Sequence, residues 1–288
     1  MIRFFASGLL LVALALGMAI PRVGHAAESY DNCTGFITSA PASITTQGTW
    51  CLKNDITASF LSGEAIFVAA NNVTIDCNGF KIVANPGFEN FSNGDGIYAD
   101  NRLNITVRHC DIRGFKNGIL LAGASGGGHV IEDNRLESNN TTGIAVVGDG
   151  SVVRRNWVFN TGGSPINPNF IGIQTSYSVD ILGNTISSVT ATSGNGGTSY
   201  GIISVSNSGG SIGDNRIRGV TGDGAGSAYG IFSDDRVSLR NNEITGNASV
   251  SSFGISCSSA NGRTKGNVIN GFATAIETCS DDGNVIAP

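Results

Sequence analysis

The chain has 288 residues, 17 basic and 22 acidic, with a formal net charge of −5 and a charged fraction of only 14%. That acidic balance makes nucleic acid and anionic membrane surfaces poor partners. Forty-one glycines and 29 asparagines against six prolines, with no linker-like low-complexity stretch, point to one domain of short strands and many turns.

The N-terminal segment reads as an export address. Arg3 supplies a positive start, residues 4–20 are apolar, Pro21 breaks the run, and Gly24 and Ala26 suit a signal-peptidase cut after Ala26. About 17 apolar residues is short for a membrane span, and no second run follows, so no span is expected once residues 1–26 are removed. The mature chain then carries 15 basic and 22 acidic residues, a charge of −7. It is expected to be secreted, periplasmic or displayed at the cell surface.

Residues 27–62 are expected to form a small N-terminal cap, and 63–288 a repeated body. All six cysteines lie after the cut, and an even count in an exported chain predicts disulfides. They fall into neighbouring pairs, which favours Cys33 with Cys51, Cys77 with Cys110 and Cys257 with Cys279, although a one-residue offset threatens the last two pairs with opposite faces. No CxxC or Cys/His cluster has metal-ligand spacing.

A small residue followed by Ile recurs at Ala65, Gly96, Gly118, Gly143, Gly172, Gly201, Gly230, Gly254 and Ala275. A period of 21 to 31 residues is the mark of a solenoid. Between these markers an Asn stands two residues before an apolar residue, at Asn134, Asn156, Asn184, Asn215, Asn242, Asn267 and Asn284; aligning VTIDCNGF with ITVRHCDI adds Asn78 and puts Cys110 in the Asn position. Alternation after the small residue places Ile97/Ala99, Ile119/Leu121 and their equivalents inward at period two, which means strands. Asn tolerates left-handed backbone and can bond its counterpart one coil away, so these residues are expected to form a structural turn ladder. The prediction is an all-β, single-stranded right-handed parallel β-helix of about nine coils, roughly 43 Å long at 4.8 Å per coil.

The units GDGIYADNRLNITVRHCDIRGF, HVIEDNRLESNNTTGIAV and RVSLRNNEITGN resemble the parallel β-helix repeats of the pectate-lyase-like superfamily, and the segments ITTQGTWCLKNDI and AIFVAANNVTIDCNGFKI resemble the start of secreted bacterial members. The resemblance spans nearly all of residues 30–286. It implies a polysaccharide partner and leaves the chemistry open, because one fold hosts many functions.

The acid/base motifs that the resemblance would imply are mostly missing. Of the polygalacturonase-like segments only Asp234-Asp235 matches, and neighbours on a strand face opposite ways, whereas hydrolysis needs carboxylates opposed across a sugar. A lyase needs a basic residue beside acid-bound calcium; Arg236 next to that pair is the candidate. Asp100 and Asp234 point alike but lie five coils apart. His109 and His129, about four residues apart along the coil direction, make a poor triad or metal site, and nothing supplies a copper cluster.

The outward row of Tyr98, Leu120, Ala145, Gln174, Ile203, Phe232 and Ser256 is unusually apolar. Bordered by Gly/Ser/Asn-rich loops, it predicts a glycan groove with Tyr98, Tyr177 and Phe232 as stacking platforms and Gln174, Asp234 and Arg236 as polar contacts. Two structural readings compete: loops bury the row, or Tyr200, Tyr229 and Phe253 simply stack on one another. The functional expectation is a secreted or surface β-helix that binds glycan or is structural, without resident cofactor. The alternative is a lyase or hydrolase of acidic polysaccharide, with calcium if a lyase.

Overall fold

The computed structural model describes residues 30–85, 92–164, 166–191, 196–206, 209–234, 236–247, 249 and 251–287. The signal segment expected over 1–26 lies outside the described residues, as does Asp235. Among the described residues the chain forms no helix and three sheets, in which every strand pair is parallel. Sheet A has eleven strands, from Gly35–Ile37 to Ser280–Asp282; sheet B has ten, from Ala42–Ile44 to Thr274–Glu277; sheet C has ten, from Ile56–Ala58 to Val285–Ala287. From Ala42 onward each coil visits B, A and C in turn, a right-handed parallel β-helix.

The stack is one coil deeper than the sequence markers count. The expected cap supplies strands Ala42–Ile44, Gly48–Leu52 and Ile56–Ala58, which pair with the next coil in all three sheets. The Cys33–Cys51 disulfide, with Cα atoms 5.9 Å apart, ties the first strand of sheet A onto that coil. The small-residue/Ile marker is missing there, so the coil is silent in the repeat.

Sheet B strands place the marker Ile inward, and Ile66, Ile97, Ile119, Ile144, Ile173, Ile202, Ile231 and Ile255 are all fully buried in one column. Each contributes roughly 1.5–3 kcal/mol relative to exposure. The small residue before it is dictated by coil pitch. A Cβ at Gly201 would stand 2.6 Å from the carbonyl oxygen of Gly230 and 2.6 Å from an Ile217 methyl, and Gly172 and Gly230 are as tight. Coils can approach here only where no side chain intervenes.

The A-to-C corner is held by asparagine. The Oδ1 of Asn184 accepts from both the backbone N–H (2.9 Å) and the Nδ2 (3.0 Å) of Asn156, while Asn184 Nδ2 donates to Val153 O (2.9 Å). The same pattern runs from Asn134 through Asn156, Asn184, Asn215, Asn242 and Asn267 to Asn284, with Cys110 N entering it by donating to Asn134 Oδ1. The left-handed residue is the one before the ladder Asn: His109, Asp133, Arg155, Gly183, Asp214, Asn241, Gly266 and Gly283 have φ between 53° and 69°. The expectation that the Asn itself is left-handed is corrected. The strained position exposes its side chain, whereas the ladder position must bury an amide with two acceptor and two donor uses.

Asn78 is also corrected, because it is not in the ladder. Its turn is two residues longer than the one above it: Asp76 pairs with Arg108, yet Lys81 pairs with Asp111. Asn78 therefore takes the left-handed position (φ 50°), with its N–H on Asp76 Oδ1 and its amide on Leu52 O. The same insertion overcomes the one-residue offset between Cys77 and Cys110, which form a buried disulfide with Cα atoms 4.7 Å apart. In the last coil a turn cut to Thr278 and Cys279 brings Cys279 to Cys257, Cα to Cα 5.1 Å.

Replacing Asn184 by Ala strands the buried N–H of Asn156, worth about 1–3 kcal/mol when unsatisfied, and removes the Asn184 amide's own bonds to Val153 O and Asn215 Oδ1. Urea unfolding is expected to show a loss of roughly 2–5 kcal/mol for Asn184→Ala, and less than about 1 kcal/mol for Asn78→Ala.

Candidate functional site

Sheet B offers an ordered outer face of ten strands in register. Two residues after each small residue the side chain points out, giving Phe67, Tyr98, Leu120, Ala145, Gln174, Ile203, Phe232 and Ser256 in register on consecutive strands. Of these only Ala145 and Ser256 are buried; the others are half-buried. Tyr98 stacks on Phe67 with centroids 6.0 Å apart and planes at 21°.

A second outer row stands just before the small residues: Glu64, Asp95, Asn117, Thr142, Ile171, Tyr200, Tyr229 and Phe253. Its C-terminal end is aromatic. Tyr200, Tyr229 and Phe253 stack face to face at 5.1 and 4.9 Å, and Phe232 meets Tyr200 and Tyr229 edge-on at 6.1 and 5.6 Å. Those ring faces are occupied by one another, as the stacked-ladder expectation had it. Phe232 is a member of this stack, and its expected role as a free platform is corrected.

The row's N-terminal end is polar. Burial raises the pKa of Asp95, with Asn117 Nδ2 donating to its Oδ1 at 2.8 Å, Lys116 opposing the shift and Glu64, its partner in register, adding to it. Burial likewise raises the Tyr98 phenol, reinforced by the charges of Asp100, Asp95 and Glu64. The sequence reading passed over Glu64 and Asp95, although they occupy the same position before the small residue that flags Tyr200 and Tyr229.

The sequence-predicted polar contacts are dispersed. Gln174 stands three strands from Tyr98 and two from Phe232. Tyr177 is half-exposed in a left-handed turn (φ 69°) after its strand, with its N–H on Ser206 O. Asp234 Oδ2 accepts from the Ser206 N–H, which occupies it in the turn. Arg236 is exposed and lines a different feature, an open cleft of about 870 Å³ on the sheet A side with Ser238, Arg263, Lys265 and Asp282. The candidates Asp234 and Arg236 therefore do not share one sugar site.

The two histidines have separate surroundings. Asp76 is nearly buried, which alone would raise its pKa, but hydrogen bonds from Asn78 N–H and His109 and the Arg108 charge override this and hold it below its usual range. His109 Nδ1 lies 3.0 Å from Asp76 Oδ1. His129, four residues away along the neighbouring strand, is 1% exposed; its Nδ1 accepts from Ile105 N–H at 3.3 Å, and its Nε2 has no hydrogen-bond partner among the described residues. Among the described residues no group of three or more His, Cys, Asp or Glu is placed to hold a metal, and no helix is long and apolar enough to cross a membrane.

Burial lowers the His129 pKa from 6.5 to about 4. The unfolded chain then takes up a proton that the folded one refuses, so the stability His129 contributes above pH 6.5 is lost as pH falls toward 4. That loss is expected to be on the order of 3 kcal/mol in urea unfolding. His129→Gln should flatten this part of the profile relative to the unaltered chain.

No protein-family model and no curated protein matches the chain. Similar solved structures include the A-module of the mannuronan C-5 epimerase AlgE4 of Azotobacter vinelandii, at 14% identity over 88% of this chain and 87% of that one, with a TM-score of 0.55. The periplasmic alginate epimerase AlgG follows at 13% identity, over 85% and 74% of the two chains, with a TM-score of 0.48. A mutant tailspike protein of E. coli bacteriophage HK620, solved with a pentasaccharide, is 12% identical over 83% and 58%, with a TM-score of 0.49. The first of these likenesses is one of fold, and the chain is a right-handed parallel β-helix repeat protein.

Proposed function

We propose that this chain is an exported glycan-binding protein that lays an extended saccharide along the outer strip of sheet B. The observation that carries the reading is the half-buried row Phe67, Tyr98, Leu120, Gln174 and Ile203, one side chain per coil except where the buried Ala145 interrupts it. Such a strip offers a polymer many equivalent contacts of flat apolar surface with intervening amide and phenol groups. Three disulfides support an oxidising compartment outside the cytoplasm. The Azotobacter module that shares the fold is by name an enzyme of mannuronan, which supports a carbohydrate as ligand.

A second reading, a lyase or hydrolase, is favoured by one observation: Asp95, with its pKa raised by burial, sits beside Glu64 and near Tyr98 and Lys116 on the same face.

Native-gel retardation on a panel of neutral and acidic polysaccharides, with reducing ends and new ultraviolet absorbance followed with and without calcium, tests both. Binding without product, weakened about tenfold by Tyr98→Ala (~1.4 kcal/mol), is expected. Product that disappears in Asp95→Asn replaces the binding reading by the enzymatic one, and absence of retardation by every polysaccharide overturns both.

A further inference from the structure

The outer face of sheet C carries a feature independent of the sheet B strip. Side chains one and three residues after each ladder Asn point outward there. On strand Trp157–Gly162 they are Trp157 and Phe159; on the next strand Thr185 and Ser187; on the one after, Arg216 and Arg218. Three neighbouring strands thus carry an aromatic wall, a floor of two short hydroxyl residues and a guanidinium wall, spanning roughly 10 Å at strand spacing.

The aromatic wall is backed from one side only. The Arg135 guanidinium, from the preceding strand, lies 4.7 Å over the Trp157 ring and 4.3 Å over the Phe159 ring, and Glu137 holds it at 3.5 Å. Cation–π stacking of this kind is worth about 0.5–1 kcal/mol at exposed sites and fixes both rings. On the side toward Thr185 and Ser187 nothing of comparable size stands in register, and Trp157 remains 48% exposed. The Thr185 and Ser187 hydroxyls have no hydrogen-bond partner among the described residues.

The opposite wall is cationic. Arg216 pairs with Glu243 at 2.9 Å, both more than half exposed, whereas Arg218 is exposed with no ion pair among the described residues. Across the strands of sheet C, five basic side chains stand against three acidic ones, in a chain whose net charge is −5. Packing and internal pairing explain Arg135 and Glu137; they leave the open ring face, the bare hydroxyls and Arg218 without a use.

We propose that this trough binds one carboxylate-bearing sugar of an acidic polysaccharide. The pyranose ring stacks on the open face of Trp157, its hydroxyls reach Thr185 and Ser187, and the planar carboxylate takes the guanidinium fork of Arg218, with Arg216 adding charge. The site lies on a different face from the proposed sheet B strip and names a ligand class that the strip does not.

Titration of the oxidised, full-length mature protein with a short oligogalacturonate, by calorimetry and tryptophan fluorescence, tests it. The expected result is saturable, salt-sensitive binding that Trp157→Ala and Arg218→Gln each weaken tenfold or more. Trp157→Phe should retain binding by calorimetry. Ser187→Phe, which fills the floor and removes neither wall, should block it, and Arg263→Gln, on the exposed face of sheet A, should leave it unchanged. All these side chains reach the surface, so circular dichroism will show that the variants fold. Absence of oligogalacturonate binding, or equal binding by Trp157→Ala and Ser187→Phe, overturns the site. Equal affinity for a neutral oligosaccharide, or higher affinity for a sulfated one, overturns the carboxylate assignment. Loss on Tyr98→Ala alone assigns the binding to sheet B and likewise overturns it.

Discussion

Every feature of this protein depends on one constraint: parallel coils stacked at a single pitch, each carrying a sharp corner whose backbone must be satisfied indoors. The asparagine ladder meets it. A buried corner N–H has no water to turn to, and the Oδ1 of the Asn one coil up accepts both it and the amide of the Asn beneath. The cost of a left-handed residue, about 1–2 kcal/mol for a side chain other than Gly, is moved to the position just before, where Asp133, Arg155 and Asp214 can still reach solvent. Corner and ladder are separate positions because strain and burial make opposite demands on a side chain.

The same pitch converts sequence period into linear arrays on the surface. On sheet B the row before the small residue changes from Glu64, Asp95 and Asn117 at one end to Tyr200, Tyr229 and Phe253 at the other. Stacking at 4.9–5.1 Å is near the coil repeat itself, so aromatic rings one coil apart pair with each other before any ligand arrives. Aromatic platforms on a β-helix therefore need a gap: Trp157 has one because its neighbours toward the C-terminus are Thr185 and Ser187.

That rule accounts for what the sequence could and could not reveal. Period, strand alternation, the inward Ile column and the ladder from Asn134 to Asn284 follow from residue spacing alone, and so do the paired cysteines. Asn78 was misplaced because a two-residue insertion lengthens its corner without altering the local motif. The first coil went uncounted because Ala42–Ile44 lacks the small-residue marker. The site was harder still. Phe232 looks like an open platform until the rings beside it are seen to be edge-on, and Arg236 sits two residues from Asp234 in sequence but faces another sheet. Trp157, Ser187 and Arg218 fall in three separate repeats and meet only through the register.

Distribution of charge gives the remaining argument. A chain of net charge −5 repels an acidic polymer at long range, so an acidic glycan needs a local reversal of sign together with contacts that survive screening. On sheet A the outward charges largely cancel between neighbouring coils, as Asp76 with Arg108 and Glu132 with Arg154 do at 2.7 Å, and such pairs leave little field for a ligand. On sheet C the pairing is incomplete around Arg218, and the imbalance falls one strand from a floor with no bulk and two from an exposed indole. A sugar ring supplies the apolar contact and its carboxylate the charge, so each compensates for what the other lacks on a mostly acidic surface.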